Sequence, residues 1–152
     1  MPKVITENKR AYHSFKVLET LEAGIKLTGP EIKSVRSGRV SLGASYVKIM
    51  DGEPYVVGMM INPYPKAPSD AFDPERRRKL LLKRSEIDRL LGLSVRKGVT
   101  IVPLKLYLRD GIAKLEIGVC KGKTQRDRRE ELKEQAMERD AEKELKEALR
   151  NK

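Results

Sequence analysis

The sequence predicts a mostly β fold, a compact barrel of around 120 residues with two to three short helices, followed by a helix-forming C-terminal tail. Short runs of β-branched and aromatic residues alternate with turn signals through residues 12–123, a pattern typical of a small barrel. Residues 124–152 instead carry apolar side chains at helical spacing among many charges. A half-open sandwich is the alternative architecture for the first part of the chain.

The first strands are predicted from side-chain composition and from one turn. Residues 13–25 are rich in β-branched and aromatic side chains, which predicts a strand that carries a bulge. Residues 45–50 and 54–57 flank Asp51-Gly52, the strongest short-range hairpin signal in the chain.

The clearest strand pair covers residues 99–108 and 112–120, which the turn Arg109-Asp110-Gly111 joins. Alternation predicts a core-facing set with one register shift near Pro103. That set is Val99, Ile101, Leu104, Leu106 and Leu108. Cys120 ends the second apolar run, where a small buried thiol is the usual explanation.

Three helical segments are predicted within the barrel. The first has Pro30 in its opening turn and ends at Gly38. The second opens at Asp73-Pro74, with Asp as the N-cap and Pro as the first helical residue. The third begins with a capping-box pattern and covers residues 85–92.

Two polar segments predict irregular structure. Residues 1–11 predict an extended N-terminal arm, and residues 61–72 hold three prolines and predict a loop. The predicted organisation is therefore an arm, a barrel over residues 12–123 and a tail over residues 124–152.

Charge is divided unequally between barrel and tail. Residues 1–124 contain 24 Lys/Arg and 13 Asp/Glu, whereas residues 125–152 contain nine of each, so the barrel carries the whole net charge of +11. Such a body should bind a polyanion, either nucleic acid or an anionic membrane surface. The neutral tail should be largely disordered when free and helical on a partner, with a helix docked permanently on the barrel as the alternative.

Several functional classes are excluded by residue counts and spacing. One cysteine and one histidine exclude an intramolecular disulfide and a Cys/His metal cluster, so we expect neither metal nor cofactor. The segment ending in Gly122-Lys123-Thr124 resembles a phosphate-binding loop, but Ile117 stands where that loop needs a glycine. We therefore expect a protein that is not an enzyme. With no secretory signal and no membrane-spanning run, we expect a cytoplasmic location and no membrane partner.

Basic clusters along the barrel favour nucleic acid, and the aromatic content favours structured RNA. Five Tyr, two Phe and no Trp are few stacking platforms for a binder of single strands. The protein should therefore recognise the phosphate geometry of a folded RNA. The alternatives are a ribosome-associated RNA chaperone without a dedicated RNA, and a membrane-surface protein, which the tail's lack of Trp and Phe disfavours.

Seven blocks of the sequence together match the pattern of one protein family. They are Asn8-Lys9-Arg10-Ala11-Tyr12-His13, Glu22-Ala23-Gly24-Ile25-Lys26-Leu27-Thr28-Gly29, Glu31-Ile32-Lys33-Ser34-Val35-Arg36, Asp73-Pro74-Glu75-Arg76-Arg77-Arg78-Lys79-Leu80-Leu81-Leu82, Lys97-Gly98-Val99-Thr100-Ile101-Val102-Pro103-Leu104-Lys105-Leu106-Tyr107, Lys121-Gly122-Lys123 and Asp127-Arg128-Arg129. With these blocks in order, the chain from about residue 8 to residue 140 resembles the SsrA-binding protein family, small protein B.

The resemblance implies an OB-like barrel, closed or partly open, that binds the tRNA-like domain of transfer-messenger RNA (tmRNA, SsrA). It implies a monomer that delivers this RNA to stalled ribosomes for trans-translation and ribosome rescue, with elongation factor Tu assisting indirectly through the RNA. The tail would probe the decoding centre of the small subunit and the empty mRNA channel.

The resemblance aligns five residues with positions important for RNA binding: Asn8, Lys9, Glu22, Leu81 and Lys114. The basic clusters add five further residues that we expect to bind RNA: Arg10, Lys33, Arg36, Lys121 and Lys123. Those expected in the ribosome-contacting tail are Arg126, Asp127, Arg128, Arg129 and Lys133. Arg126 stands where the family usually has His or Tyr, and its guanidinium can both stack and contact a phosphate.

Overall fold

A computed structural model describes residues 2–63, 72–123 and 125–150. The chain divides into two units, Met1–Gly122 and Lys123–Lys152, each described by itself. The elements of the first unit are β1 (Lys3–Glu7), α1 (Lys9–Ser14), β2 (Phe15–Ile25), α2 (Gly29–Arg36), β3 (Val40–Ser41), β4 (Tyr46–Met50), β5 (Glu53–Val57), β6 (Met60–Ile61), β7 (Arg78–Leu81), α3 (Arg84–Ser94), β8 (Val99–Arg109) and β9 (Ile112–Gly122). The second unit holds one helix, α4 (Gln125–Arg150).

Seven of these strands form one antiparallel sheet in the order β1-β8-β9-β2-β7-β5-β4, and β3 pairs with β6 separately. At the end of this order, β4 returns to lie against β8 without pairing with it. The sheet therefore curls into a partly open barrel around the main core, which includes Ala23, Leu80, Leu106 and Leu115. The mostly β fold with short helices and a C-terminal helix is confirmed.

The predicted turns and the predicted bulges are confirmed. Asp51 and Gly52 both have positive φ, 51° and 75°, as a two-residue hairpin loop between β4 and β5 requires. The β2 strand carries a bulge between Val17 and Glu19, and β8 carries one between Pro103 and Lys105.

The bulge in β8 sends its apolar residues to two clusters. Ile101 and Leu106 belong to the main core, as predicted, whereas Leu104 joins a smaller cluster on the other side with Ala11 of α1 and the buried Cys120. Burial raises the pKa of the Cys120 thiol to about 11. Cys120 is therefore an inert packing residue, as its position in the sequence predicts.

The first and third predicted helices are present. A capping box begins the α2 helix. In it, Thr28 Oγ1 accepts from Glu31 N at 3.4 Å, and Glu31 Oε1 accepts from Thr28 N at 2.9 Å. The α2 helix ends before Gly38, whose φ is 78°. The α3 helix continues to Ser94, two residues beyond the predicted end.

One prediction of secondary structure is confirmed in part and one is wrong. The N-terminal segment is extended over Lys3–Glu7, as predicted, but it pairs with β8, and α1 begins at Lys9. The helix predicted at Asp73-Pro74 is a single turn, in which Glu75 N donates to Asp73 Oδ1 at 2.9 Å. The chain then enters β7, which pairs with β2 and β5, so sheet pairing outweighs the local helix signal. Of the predicted loop over 61–72, residues 64–71 lie outside the described residues.

A buried ion pair fixes β7 in the barrel. Arg78 and Glu31 are both fully buried, and Arg78 Nε donates to Glu31 Oε2 at 2.5 Å. The remaining donors of Arg78 are used on backbone carbonyls: Met59 O at 2.8 Å, Pro74 O at 3.2 Å and Asp73 O at 3.4 Å. One side chain thus links α2, the segment before β6 and the turn before β7.

The second unit contains one helix of 26 residues, α4, which confirms the helix predicted for the tail. Its larger apolar side chains Leu132, Met137, Leu145 and Leu149 are each more than 60% exposed. That this segment folds only on a partner stays a prediction. Among the described residues, no helix combines the length and the apolar character that crossing a membrane requires.

Candidate nucleic-acid interface

Five residues form a continuous row across the sheet. Leu81 on β7 is opposite Gly24 on β2, and Gly24 is opposite Lys114 on β9. Lys114 is opposite Tyr107 on β8, which is opposite Val4 on β1. Directly paired residues of antiparallel strands point to the same side of a sheet, so the row shares one face.

A second row lies beside the first on that face. Glu22 is opposite Glu116, Glu116 is opposite Lys105, and Lys105 is opposite Glu7. Since Glu22 precedes Gly24 by two residues, strand alternation places both rows on the same side. We call these two rows the outer face. It brings together three of the residues implied by the resemblance, Glu22, Leu81 and Lys114.

The centre of the outer face is a polar cluster that the sequence did not reveal. The Tyr107 hydroxyl donates to Glu22 Oε2 at 2.5 Å, and Arg109 Nη1 lies 2.9 Å from the same oxygen. The Arg109 guanidinium also lies over the Tyr107 ring, 5.6 Å from its centroid. Partial burial, then the hydrogen bond and charge of Glu22, raise the pKa of Tyr107. The hydroxyl therefore remains protonated and holds Glu22 in place.

Because Gly24 has no side chain, the middle of the outer face is a shallow depression. A Cβ built on Gly24 would lie 3.1 Å from Leu81 Cβ and 3.4 Å from Leu81 Cδ1. Any side chain there would displace Leu81, which is 53% exposed. A glycine inside a strand often marks a close approach by a ligand, and here it leaves a shallow site between Leu81 and Lys114.

The α1 helix covers one end of the same face. Gly118 follows Glu116 by two residues, and Leu104 lies over it, since a Cβ on Gly118 would be 2.7 Å from Leu104 Cδ1. Leu104 packs with Ala11 of α1 in the smaller cluster. The exposed Lys9 and Arg10 in the first turn of α1 therefore flank the outer face.

Asn8 positions α1 through both polar atoms of its side chain. Its side chain is buried, Nδ2 donates to Pro103 O at 2.9 Å, and Oδ1 accepts from Ala11 N at 3.1 Å. Because Pro103 borders the bulge of β8, Asn8 fixes the start of the helix to that bulge. Asn8 is therefore a positioning residue for the cations that follow it.

Tyr12 joins α1 to the polar part of the outer face. Partial burial and then the charge of Glu116 raise its pKa, against an opposing effect of Lys105. Both charged residues belong to the second row, so the Tyr12 ring, which is 39% exposed, stands at the edge of the face.

The other residues expected to bind RNA are not members of these two rows. Lys33 is exposed on α2, and Arg36 Nη2 donates to Gly111 O at 3.4 Å, at the turn between β8 and β9. Lys121 is exposed at the far end of β9, and Lys123 belongs to the second unit.

In the tail, Arg129 and Lys133 are exposed on α4. The side chains of Arg126, Asp127 and Arg128 lie outside the described part of the structure. Within the residues that the structure describes, no group of three or more His, Cys, Asp or Glu could hold a metal ion.

The outer face can bind RNA through three kinds of group. Lys105, Lys114 and Arg109 offer cations for phosphate, Leu81 and Gly24 offer an apolar and low surface, and Glu22 accepts hydrogen bonds. Tyr107 and Arg109 were not found from the sequence, because their link to Glu22 spans 85 and 87 residues of chain. The only local signal was the alternation that turns Tyr107 away from the core.

Residues 5–147 match the family model described as SmpB protein. The chain belongs to the SmpB family. An SsrA-binding protein of Nitratiruptor sp. is 52% identical over 147 residues, which cover 95% of this chain and 98% of the relative. An SsrA-binding protein of Rubrobacter xylanophilus is 50% identical over 143 residues, which cover 94% of this chain and 95% of the relative. The resemblance seen in the sequence is confirmed.

A solved structure of the family has a similar fold. The structure described as "tmRNA-SmpB: a journey to the center of the bacterial ribosome" matches with a TM-score of 0.68 and 46% sequence identity. The match covers 79% of this chain and 85% of that chain.

Proposed function

We propose that this member of the SmpB family binds the tRNA-like domain of transfer-messenger RNA with its outer face and α1, and delivers that RNA to stalled ribosomes for trans-translation. One observation carries the proposal: Glu22, Leu81 and Lys114, distant in sequence, lie around Gly24 on three neighbouring strands of one face. The names of the relatives and the solved tmRNA–SmpB structure support the same partners.

The composition of the face suits selective binding. A uniformly cationic surface binds any RNA through its phosphates. Here Glu22 and Glu116 stand among the cations, so an RNA that does not present a donor or a gap at these positions meets repulsion. Selection of one folded RNA is the expected consequence.

The tail is proposed to act on the ribosome. A helix of 26 residues is about 39 Å long, enough to reach from the decoding centre of the small subunit into the empty mRNA channel. We infer that the tail is disordered when free and helical there, with Arg126, Asp127, Arg128, Arg129 and Lys133 as its contacts. Its exposed apolar and charged side chains suit a segment that orders on a partner.

The remaining parts of the proposal concern the state of the protein. We infer a monomeric, cytoplasmic protein that works without cofactor or catalysis, and that meets elongation factor Tu only through the bound RNA. RNA-binding action is consistent with a basic body of net charge +11.

The first test is to compare binding of the tRNA-like domain by the full chain and by a form that ends at Lys123. An ordinary folded tRNA serves as competitor. Equal and selective binding by both forms is expected, since residues 1–122 are a compact unit that contains the outer face. Loss of binding on truncation would make the tail an RNA element, and equal affinity for both RNAs would favour a general RNA chaperone.

Replacing Lys9 or Lys114 by Ala should weaken binding of the tRNA-like domain and flatten its dependence on salt. Each lost phosphate contact lowers the slope of log K against log salt concentration by about 1. Fluorescence anisotropy titrations at several salt concentrations measure both quantities. Unchanged affinity in both variants would count against the outer face and α1 as the RNA site.

Replacing Arg128 and Arg129 together by Ala should leave binding of the tRNA-like domain unchanged and stop ribosome rescue. Both residues lie near the start of α4, which belongs to the second unit and is not part of the barrel. A tagging assay on ribosomes stalled on a truncated message measures rescue. An equal loss of RNA affinity would contradict the division of work between barrel and tail.

A further inference from the structure

A second basic site lies beside the outer face, in a cavity of about 410 Å³. Its lining is Lys26, Leu27, Thr28, Tyr55, Arg76, Arg77 and Lys79. We call this cavity the basic pocket. Four of its seven lining residues are cations and none is a carboxylate, so its interior has positive potential.

Two of the four cations are committed to carboxylates outside the lining. Arg76 Nη2 lies 2.5 Å from Glu31 Oε1, and that carboxylate is shared with the buried Arg78. Lys79 Nζ lies 3.5 Å from Glu53 Oε2, between side chains that are about 40% exposed. Such an exposed pair is weak and can exchange for another anion.

The other two cations are presented to solvent. Lys26 is exposed at the end of β2, and Arg77 is exposed just before β7. The guanidinium of Arg77 lies over the Tyr55 ring, 5.2 Å from its centroid, and its Nη1 is 3.5 Å from Met50 Sδ. These contacts restrict the side chain, so less freedom is lost when its N–H groups bind a phosphate.

The basic pocket continues the outer face. Lys79 precedes Leu81 by two residues on β7, and Lys26 follows Gly24 by two residues along the chain, so alternation directs all four to one side. Tyr55 is opposite Lys79 on the neighbouring strand. Since β7 lies two strands from β9, the pocket is roughly 10 Å across the sheet from Lys114.

We propose that the basic pocket binds a backbone phosphate of RNA, with Arg77 and Lys26 as its principal ligands. The inference rests on the proposed function and extends its RNA surface from the two rows of the outer face to the start of β7 and to β5. A phosphodiester is the ligand that fits: the pocket is cationic, open to solvent and in line with the outer face. The phosphate comes either from the tRNA-like domain or from ribosomal RNA.

The test is the double variant Lys26→Ala/Arg77→Ala in the full chain. Neither side chain is in the core, so the barrel should fold, which circular dichroism checks. The control is Arg96→Ala/Lys97→Ala, which removes the same charge from exposed positions after α3, outside the pocket. Both variants are titrated with the tRNA-like domain over a range of salt concentrations, and their RNA complexes are titrated with small ribosomal subunits.

If the phosphate belongs to the tRNA-like domain, the pocket variant loses between about 0.7 and 0.9 from the salt slope of that titration, as expected for one phosphate contact, while the control loses less than half as much. If the phosphate belongs to ribosomal RNA, the salt slope of the titration with the tRNA-like domain is unchanged. The same loss of slope is then found in the titration with small ribosomal subunits. Equal slopes for wild type and pocket variant in both titrations, or equal losses in pocket variant and control, overturn the inference. Failure of the wild type to prefer the tRNA-like domain would instead contradict the proposed function.

Discussion

Replacing Arg78 by Ala is expected to lower the free energy of unfolding by about 3–5 kcal/mol. Arg78 is fully buried and is the partner of the equally buried Glu31, so its loss leaves that carboxylate with Arg76, which is partly exposed, as its remaining cationic partner. It also removes donors from the carbonyls of Met59 and Pro74. Urea denaturation followed by tyrosine fluorescence measures the effect on the barrel, since all five tyrosines precede residue 123.

The neighbouring Arg77 provides the control for this prediction. Arg77→Ala removes the same charge from an exposed position and is expected to change the free energy of unfolding by less than about 1 kcal/mol. The double variant Glu31→Leu/Arg78→Met should lose less unfolding free energy than the two single variants together. The reason is that the double variant removes both buried charges at once, whereas each single variant removes only one partner of the pair. Equal losses for Arg77→Ala and Arg78→Ala would contradict the structural role given to Arg78.

The same ion pair makes the barrel sensitive to acid. Although burial raises the pKa of Glu31, hydrogen bonds from Thr28 N, Arg76 and Arg78 outweigh it and hold the pKa below its ordinary value. A carboxyl with a depressed pKa stabilises the folded state above its unfolded pKa, about 4.3. That stabilisation is lost as the pH falls through the folded pKa. Denaturation curves recorded below neutral pH should therefore show a smaller acid dependence for Glu31→Gln.

Replacing Glu22 by Ala is expected to weaken binding of the tRNA-like domain by about tenfold, a loss typical of one charged hydrogen bond. Binding of an unrelated duplex RNA should be unchanged or stronger. The first effect follows because Glu22 holds both Tyr107 and Arg109 in place. The second follows because the change removes a negative charge from a surface that meets phosphates. Competition titrations with the two RNAs measure both effects.

Glu116 is the matched control for this prediction. It lies directly opposite Glu22 on β9, so Glu116→Ala removes the same charge from the same face. Among the described residues, the side chains that bond Tyr107 and Arg109 do not include Glu116, so the affinity of Glu116→Ala for both RNAs should rise together. If Glu22→Ala instead raised the affinity for both RNAs equally, Glu22 would act through its charge alone. That result would contradict its proposed role in selecting the RNA.

The sequence predicts the hairpins well, because their turns need backbone angles that few residues adopt. Asp51-Gly52 is an example: both residues have positive φ, and alternating strands flank them. It fails at β7, where consecutive basic residues after Asp73-Pro74 resemble a solvated helix. Arg78 is instead buried by a partner 47 residues away in sequence, a relation that no local pattern contains.

The candidate site divides in the same way. The family resemblance selects Glu22, Leu81 and Lys114, which the sheet register then places side by side. Tyr107 and Arg109 escape notice because their role depends on contact with Glu22 across the sheet. Asn8 is predicted to bind RNA, and the structure shows it buried and capping α1, a role that residue type alone does not distinguish from RNA contact.

The bulge at Pro103–Lys105 determines which side of the sheet each later residue of β8 faces. Leu106 enters the main core and Tyr107 the outer face only because one extra residue is accommodated there. Deleting a single residue from this stretch would exchange the two, placing a phenol in the barrel interior and a leucine against RNA. The number of residues in this bulge is therefore as tightly constrained as the identity of any side chain. Engineered insertions should be placed in the turns between strands instead.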